Sequence, residues 1–444
     1  MATAHNRSPS PAIARHRSPS LTEFTESMEF MEYQLESKDQ FWDELNDLLS
    51  GQINSSVLIE SALRSYLRFV ESFMNEYIKT DEDLMRCCYM FMDSSLFVKH
   101  KAHVRRRLIM TLVRGSRTIP RLTLIGLIVL LDGKTNVNTF EMMGEHSACV
   151  VMMEVLWNKH GDDSRLHRVF AELFYETCRV QRILYQDLTA VTPEFIEYLY
   201  RSIETSDDYD TDPYSYSEIK ILLVINEQYM LLSSHIANSS DRIEPLDNKV
   251  MRVLCDHGTT YKTFGTNMII LLNREREPCI QLLILKMLYQ IFTTPDTYEY
   301  FYTNDLRVLT DVFIRELNDL SEDSETLRHA FLRVLYPLLA HSQLRLTHYK
   351  DFELVKLLRA LSGSSRSTCF LPISDTVARL VARCAHVNWI RPLFTADEDV
   401  MPLRRIDSSA SSASTESLVV PVFDLPSPRK PVESIESIAE IQSV

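Results

Sequence analysis

Two stretches carry side chains of the right type to hold a metal ion. From Asp208, the acids Asp208, Asp210 and Asp212 match the first three ligand positions of a calcium-binding loop, but position six is Pro213 and position twelve is Ile219. Such a loop needs glycine for its sharp turn and a final glutamate for bidentate ligation, so the run reads as a solvated acidic loop. His160, Asp162, Asp163 and His167 fall within eight residues. Without an HExxH, HxH or paired-cysteine pattern, they read as a turn leading into the acidic first turn of a helix. The eight cysteines form no CxxC pair, and most sit in apolar helical patterns, as expected of reduced core thiols. GxSxG, GxGxxG and the Walker phosphate loop are absent, and the remaining Ser, His and Asp residues show no catalytic spacing. No enzyme activity and no cofactor are expected.

Charge patterning points to protein surfaces. Residues 99–121 hold Lys99, Lys101, Arg105, Arg106, Arg107, Arg114, Arg117 and Arg121 with no acid. Three consecutive arginines sweep about 200° of a helix, so they cannot all address one partner. Two readings stay open: a solvated face neutralised by neighbouring acids, or a docking patch built from Arg105, Arg106, Arg107, Arg114 and Arg117 for an acidic protein surface. Further on, Arg307, Asp311 and Arg315 are four residues apart and are expected to pair with each other. Glu316 falls inside the apolar stripe Leu306, Leu309, Val312, Phe313 and Leu317, while Arg328 edges the apolar face of the next helix. An isolated buried charge is costly, so Glu316 and Arg328 are expected to pair across the Leu320–Glu325 turn. Near the C-terminus, Pro426–Pro431 contains a PxxP core that suits either a ligand for Src-homology-three-type domains or a linker.

The elements that position these residues are helices. Glycine occurs only 9 times in 444 residues, against roughly 31 expected at about 7% usage, which fits helices joined by short turns. Apolar residues recur every three or four positions over 55–79, 83–93, 97–114, 119–131, 138–159, 162–187, 193–204, 217–237, 247–257, 260–273, 278–293, 296–302, 304–319, 324–342, 350–361 and 373–390. Thr80–Asp83 resembles a capping box. LKMLYQIF at 285–292 and LRVLYPLL at 332–339 match at an offset of 47 residues, close to the period of HEAT and armadillo repeats. The expected fold is all-α, an armadillo- or HEAT-like helical repeat stack over 38–394. Residues 1–37, mostly a Ser/Pro/Arg-rich arm, and 395–444, a Ser/Pro/acidic tail, are expected to be disordered.

The net charge is −14, with +3 in residues 1–20 and −5 in residues 395–444. Such an acidic body is a poor match for nucleic acid or an anionic membrane. The longest apolar run, residues 122–131, is half the length of a membrane span. Residues 1–20 are too polar for a signal peptide.

FYTNDLRVLTDVFIRELNDL at 301–320, ETLRHAFLRVLYPLL at 325–339 and TFGTNMIILLNRE at 263–275 resemble the leucine-rich domain of the WISH/DIP family. The likeness is dense over about 260–345 and thinner over 40–395. It implies a non-enzymatic protein that engages the actin-related protein 2/3 complex, activates it without a preformed filament, and so seeds linear actin filaments. Cytoplasmic, cortical endocytic actin patches are the implied setting. Unlike animal members, this chain shows no Src-homology-three domain. Its tryptophans, Trp42, Trp157 and Trp389, lie in helical segments and form no acidic-tryptophan tail. The competing expectation is a helical-repeat adaptor that gathers endocytic or cytoskeletal proteins through its tails.

Overall fold

Capping chemistry starts several of the helices. Asp83 N–H donates to Thr80 Oγ1 at 3.2 Å, and Thr80 N–H returns a bond to Asp83 Oδ2 at 3.4 Å. This closes the capping box with Asp in place of the usual Glu. The structure is a computed structural model and describes residues 35–51, 56–115, 118–158, 164–205, 215–238, 244–321, 323–362 and 374–395. Within them the protein is all-α, with two compact units: the described parts of 1–111 with 115–128, and of 112–114 with 129–444.

The first unit is built on α1 (Lys38–Leu49), α2 (Ser56–Tyr77), α3 (Asp81–Asp93), most of α4 (Ser95–Arg114) and the start of α5 (Ile119–Thr135). Its core is aromatic. Phe41 stacks on Phe69 at 5.2 Å, and Tyr66 stacks on Phe91 at 4.5 Å while donating its hydroxyl to the Cys87 carbonyl.

The second unit continues with α6 (Asn138–Glu145), α7 (Ala148–Asn158), α8 (Ser164–Val180), α9 (Tyr185–Ala190), α10 (Pro193–Thr205), α11 (Tyr216–Asn238), α12 (Lys249–His257) and α13 (Lys262–Arg274). It ends with α14 (Pro278–Thr293), α15 (Thr303–Asp319), α16 (Glu325–His341), α17 (Leu344–Thr347), α18 (Asp351–Leu361), α19 (Asp375–Ala385) and α20 (Arg391–Thr395). One layer runs α8, α11, α14, α16, α19, each packed on the next; a second runs α10, α13, α15, α18. The layers join through the pairs α10–α11, α13–α14, α15–α16 and α18–α19. This is the helical-repeat stack expected from the pattern. The two strings matched at 285–292 and 332–339 lie in α14 and α16, successive members of one layer. α16 continues through Pro337 to His341.

Four expected helices are shorter or split. Residues 138–159 break at Ser147, whose φ of 52° is left-handed. The helix expected over 162–187 stops at Val180 because Gln228 of α11 takes over its end: Gln228 Nε2 donates to the carbonyls of Cys178 and Gln181, and its Oε1 accepts from Ile183 N–H. Residues 296–302 form only a 3-10 turn, Pro295–Thr297, since Tyr300 leaves the helical path to bury its hydroxyl against the Tyr261 carbonyl at 2.5 Å. The helix over 373–390 ends at Ala385, and Trp389 beyond it donates to the Leu339 carbonyl.

Candidate partner-binding surfaces

The twist of α4 divides the basic stretch. Arg105 is 9% exposed, with its guanidinium 5.9 Å from the Phe97 ring centre. Arg107 meets Glu60 of α2 at 3.2 Å, His103 approaches the same carboxylate at 3.9 Å, and Arg121 meets Glu71 at 2.5 Å. Arg106 and Arg114 are exposed; among the described residues neither meets an acid, and Arg117 lies outside them. Of the four described arginines among the five singled out from the sequence, one is buried and one neutralised, and Arg106 and Arg114 have charge to offer a partner. The acidic run from Asp208 to Pro213, His160 with Asp162 and Asp163, and Pro426–Pro431 also lie outside the described residues.

Glu316 is buried as its position in the stripe requires, at 8% exposure, but its partner differs from the expected Arg328. Arg315, the next residue, turns back to it at 2.5 Å and also donates to Asn273 Oδ1. Arg328 instead donates to the carbonyls of Leu320 and Ser321 at 3.0 and 2.9 Å. The physical reason lies just past α15: the carbonyls of Leu320, its C-cap, and Ser321 lie beyond the helical ladder next to the negative end of the helix dipole, so they compete for the guanidinium. The expected pairing among Arg307, Asp311 and Arg315 is likewise replaced. Asp311 binds Lys350 at 2.9 Å and the Tyr349 hydroxyl at 3.2 Å, and Arg307 lies over the Tyr349 ring. Contacts to the next repeat win over contacts along one helix face.

Sequence reasoning missed the polar centre of the stack. Residues 221–230 of α11 are all buried, and three of them are Asn226, Glu227 and Gln228. Each serves a different neighbour. Asn226 Oδ1 accepts from Asn248, which caps α12 and also bonds Gln290 of α14. Glu227 pairs with Lys286 of α14, and Gln228 closes the end of α8. Three polar residues in the middle of the run ILLVINEQYMLL were the available signal. A buried polar group is kept only where it is bonded.

The string TFGTNM has a structural meaning. Thr263 donates from both N–H and Oγ1 to the Glu204 carboxylate of α10 at 2.6 Å. Gly265 N–H donates to the Tyr300 hydroxyl, and a Cβ at Gly265 would stand 2.7 Å from Tyr300 Cε1. The glycine therefore lets the 298–301 turn close onto α13. Five of the described cysteines, Cys87, Cys88, Cys149, Cys178 and Cys384, are buried, and burial pushes the thiols of Cys87 and Cys384 up to about 12, out of the reactive range.

The family profile described as SPIN90/Ldb17, leucine-rich domain, matches residues 211–354. Over 335 residues the chain is 30% identical to Protein dip1 of Schizosaccharomyces pombe, covering 73% of this chain and 87% of that one. The chain belongs to the SPIN90/Ldb17 family. LDB17 of Saccharomyces cerevisiae is 30% identical over 351 residues, covering 68% of this chain and 69% of its own. LDB17 of Eremothecium gossypii is 27% identical over 350 residues, covering 72% and 74%. The SPIN90/Ldb17 leucine-rich span begins just before α11 and runs into α18, and so includes the Glu227–Lys286 pair, the Gly265 contact and Glu316. Among the described residues of this SPIN90/Ldb17 member, no helix is long and apolar enough to cross a membrane.

Proposed function

We propose that the protein is a non-enzymatic activator of the actin-related protein 2/3 complex that nucleates linear actin filaments without a preformed filament at cortical endocytic actin patches. The supporting observation is SPIN90/Ldb17 membership over most of the chain, together with the three WISH/DIP strings, which lie in α13, α15, α16 and the turn before α15. Activation of this kind is a population shift: the stack must bind the active arrangement of the complex more tightly than the inactive one. Actin is engaged indirectly, and Pro426–Pro431 offers a PxxP ligand to Src-homology-three-type proteins.

Pyrene-actin polymerisation with the purified complex and the full chain tests the proposal, with no seed filament and no other activator present. Acceleration is the expected result. No acceleration at concentrations that saturate binding to the complex would leave the adaptor reading, in which the tails gather other proteins.

A further inference from the structure

The second unit holds an open groove of roughly 1150 Å3 between α16, the turn after α17, and the α19–α20 end. Tyr336, Val387, Trp389 and Leu393 give it an apolar floor. Its wall is held in place: the His348 ring stacks on Trp389 at 5.1 Å with an 11° interplanar angle, and the Trp389 N–H is anchored on the Leu339 carbonyl at 3.0 Å. His348 and Lys350 both have left-handed backbones, with φ of 48° and 53°. Non-glycine residues persist there only where their surroundings hold them, often at binding sites.

The groove's charge differs from that of the chain. Arg345 and Arg383 line it against one acid, Asp351, in a protein of net charge −14. Arg383 lies 4.1 Å over the Tyr336 ring and is exposed, and Leu346 at the lip is 76% exposed. A complementary occupant presents acids beside apolar anchors.

Residues 432–441, VESIESIAEI, have that chemistry. At 3.6 residues per turn, Glu433, Glu436 and Glu440 share one side while Ile435, Ile438 and Ala439 share another. The 36 residues 396–431 connect this segment to α20, whose Pro392 and Leu393 line the groove. Tethering beside the site raises effective concentration without any new contact.

We propose that residues 432–441 dock in cis in this groove as an acidic amphipathic segment, with Ile435 and Ile438 on the Tyr336–Trp389 floor and the glutamates facing Arg345 and Arg383. The segment then covers Leu346, and any partner that uses this face must displace it. The proposal is independent of actin.

Hydrogen exchange on the full chain tests it. Residues 432–441 are expected to exchange at least tenfold more slowly than in a synthetic peptide of 430–444. Ile435→Asp with Ile438→Asp should return them to the peptide rate. Arg345→Glu with Arg383→Glu should do the same, with exchange unchanged in α8, α11 and α14. Added peptide should slow exchange over 386–393 in the Ile435→Asp/Ile438→Asp chain. Peptide-like exchange of 432–441 in the wild-type chain overturns the proposal. So does protection that survives Arg345→Glu/Arg383→Glu, which places the segment elsewhere, or protection that grows with protein concentration, which assigns the groove to a second copy.

Discussion

Lys286 of α14 and Glu227 of α11 form an ion pair inside the stack, each side chain only 3% exposed. The pair joins two successive helices of one layer. Removing one partner strands the other charge, so Lys286→Met is expected to destabilise by about 3–5 kcal/mol. Lys286→Met with Glu227→Leu should cost less than Lys286→Met alone, because no unpaired charge remains. Urea denaturation of the two variants checks this; equal or greater loss in the double variant would show that the pair is not what holds these helices.

Glu316 and Arg328 belong to separate interactions, one with Arg315 and one with the end of α15. Arg328→Ala is expected to cost about 1–2 kcal/mol through two charge-assisted bonds to partly exposed carbonyls. A double-mutant cycle with Glu316→Ala should then give a coupling energy near zero. Coupling well above about 0.5 kcal/mol would mean that the two charges act on each other directly.

Gly265→Ala places a methyl 2.7 Å from Tyr300 Cε1 and 3.0 Å from Phe301 Cε1. Tyr300 cannot easily yield, because its hydroxyl is bonded to both the Tyr261 carbonyl and Gly265 N–H. Overpacking of about 1–3 kcal/mol therefore exceeds the roughly 1 kcal/mol that alanine gains as a helix former. The melting temperature should fall. A rise would mean that the 298–301 turn moves away at little cost.

Burial lowers the His329 imidazole below its usual range; Glu325 at 3.3 Å opposes this, while Arg333 and Arg328 reinforce it. Below about pH 6.5 the unfolded chain takes up a proton that the folded chain still refuses. This contribution is thus fully present above that pH and is lost as pH falls toward the lower folded value. His329→Gln should flatten the decline in stability between about pH 7 and pH 5, as read by urea midpoints. Identical slopes in the two proteins would contradict it.

Arg106 and Arg114 are exposed arginines of α4 that meet no acid among the described residues, and Lys99 and Lys101 on the same helix are exposed as well. If either docks on an acidic partner, Arg106→Glu or Arg114→Glu should weaken actin-related protein 2/3 activation most at low ionic strength. Arg105→Glu should instead lower thermal stability, because that side chain is buried. Unchanged activity in both exposed variants would remove these two arginines from the interface.

Periodicity alone determined the helical class of this protein, because one apolar stripe per helix is a local property that residues such as Ala62, Tyr66 and Phe69 carry wherever the helix packs. The 47-residue echo between α14 and α16 was also readable, as was the burial of Glu316 from its place in a stripe. Partner choice was not. Arg328 turned to the carbonyls of the turn just before its own helix, which helix periodicity does not describe, while Asp311 turned to Lys350 and Gln228 to the end of α8, choices that depend on which distant segment lies within about 3 Å. Sequence spacing specifies the faces of one helix, whereas a charge or amide is satisfied by whatever donor or acceptor packing brings to it, from residues 45 to 59 positions away in the cases of Ile183–Gln228 and Glu227–Lys286. Only the assembled layers could decide that.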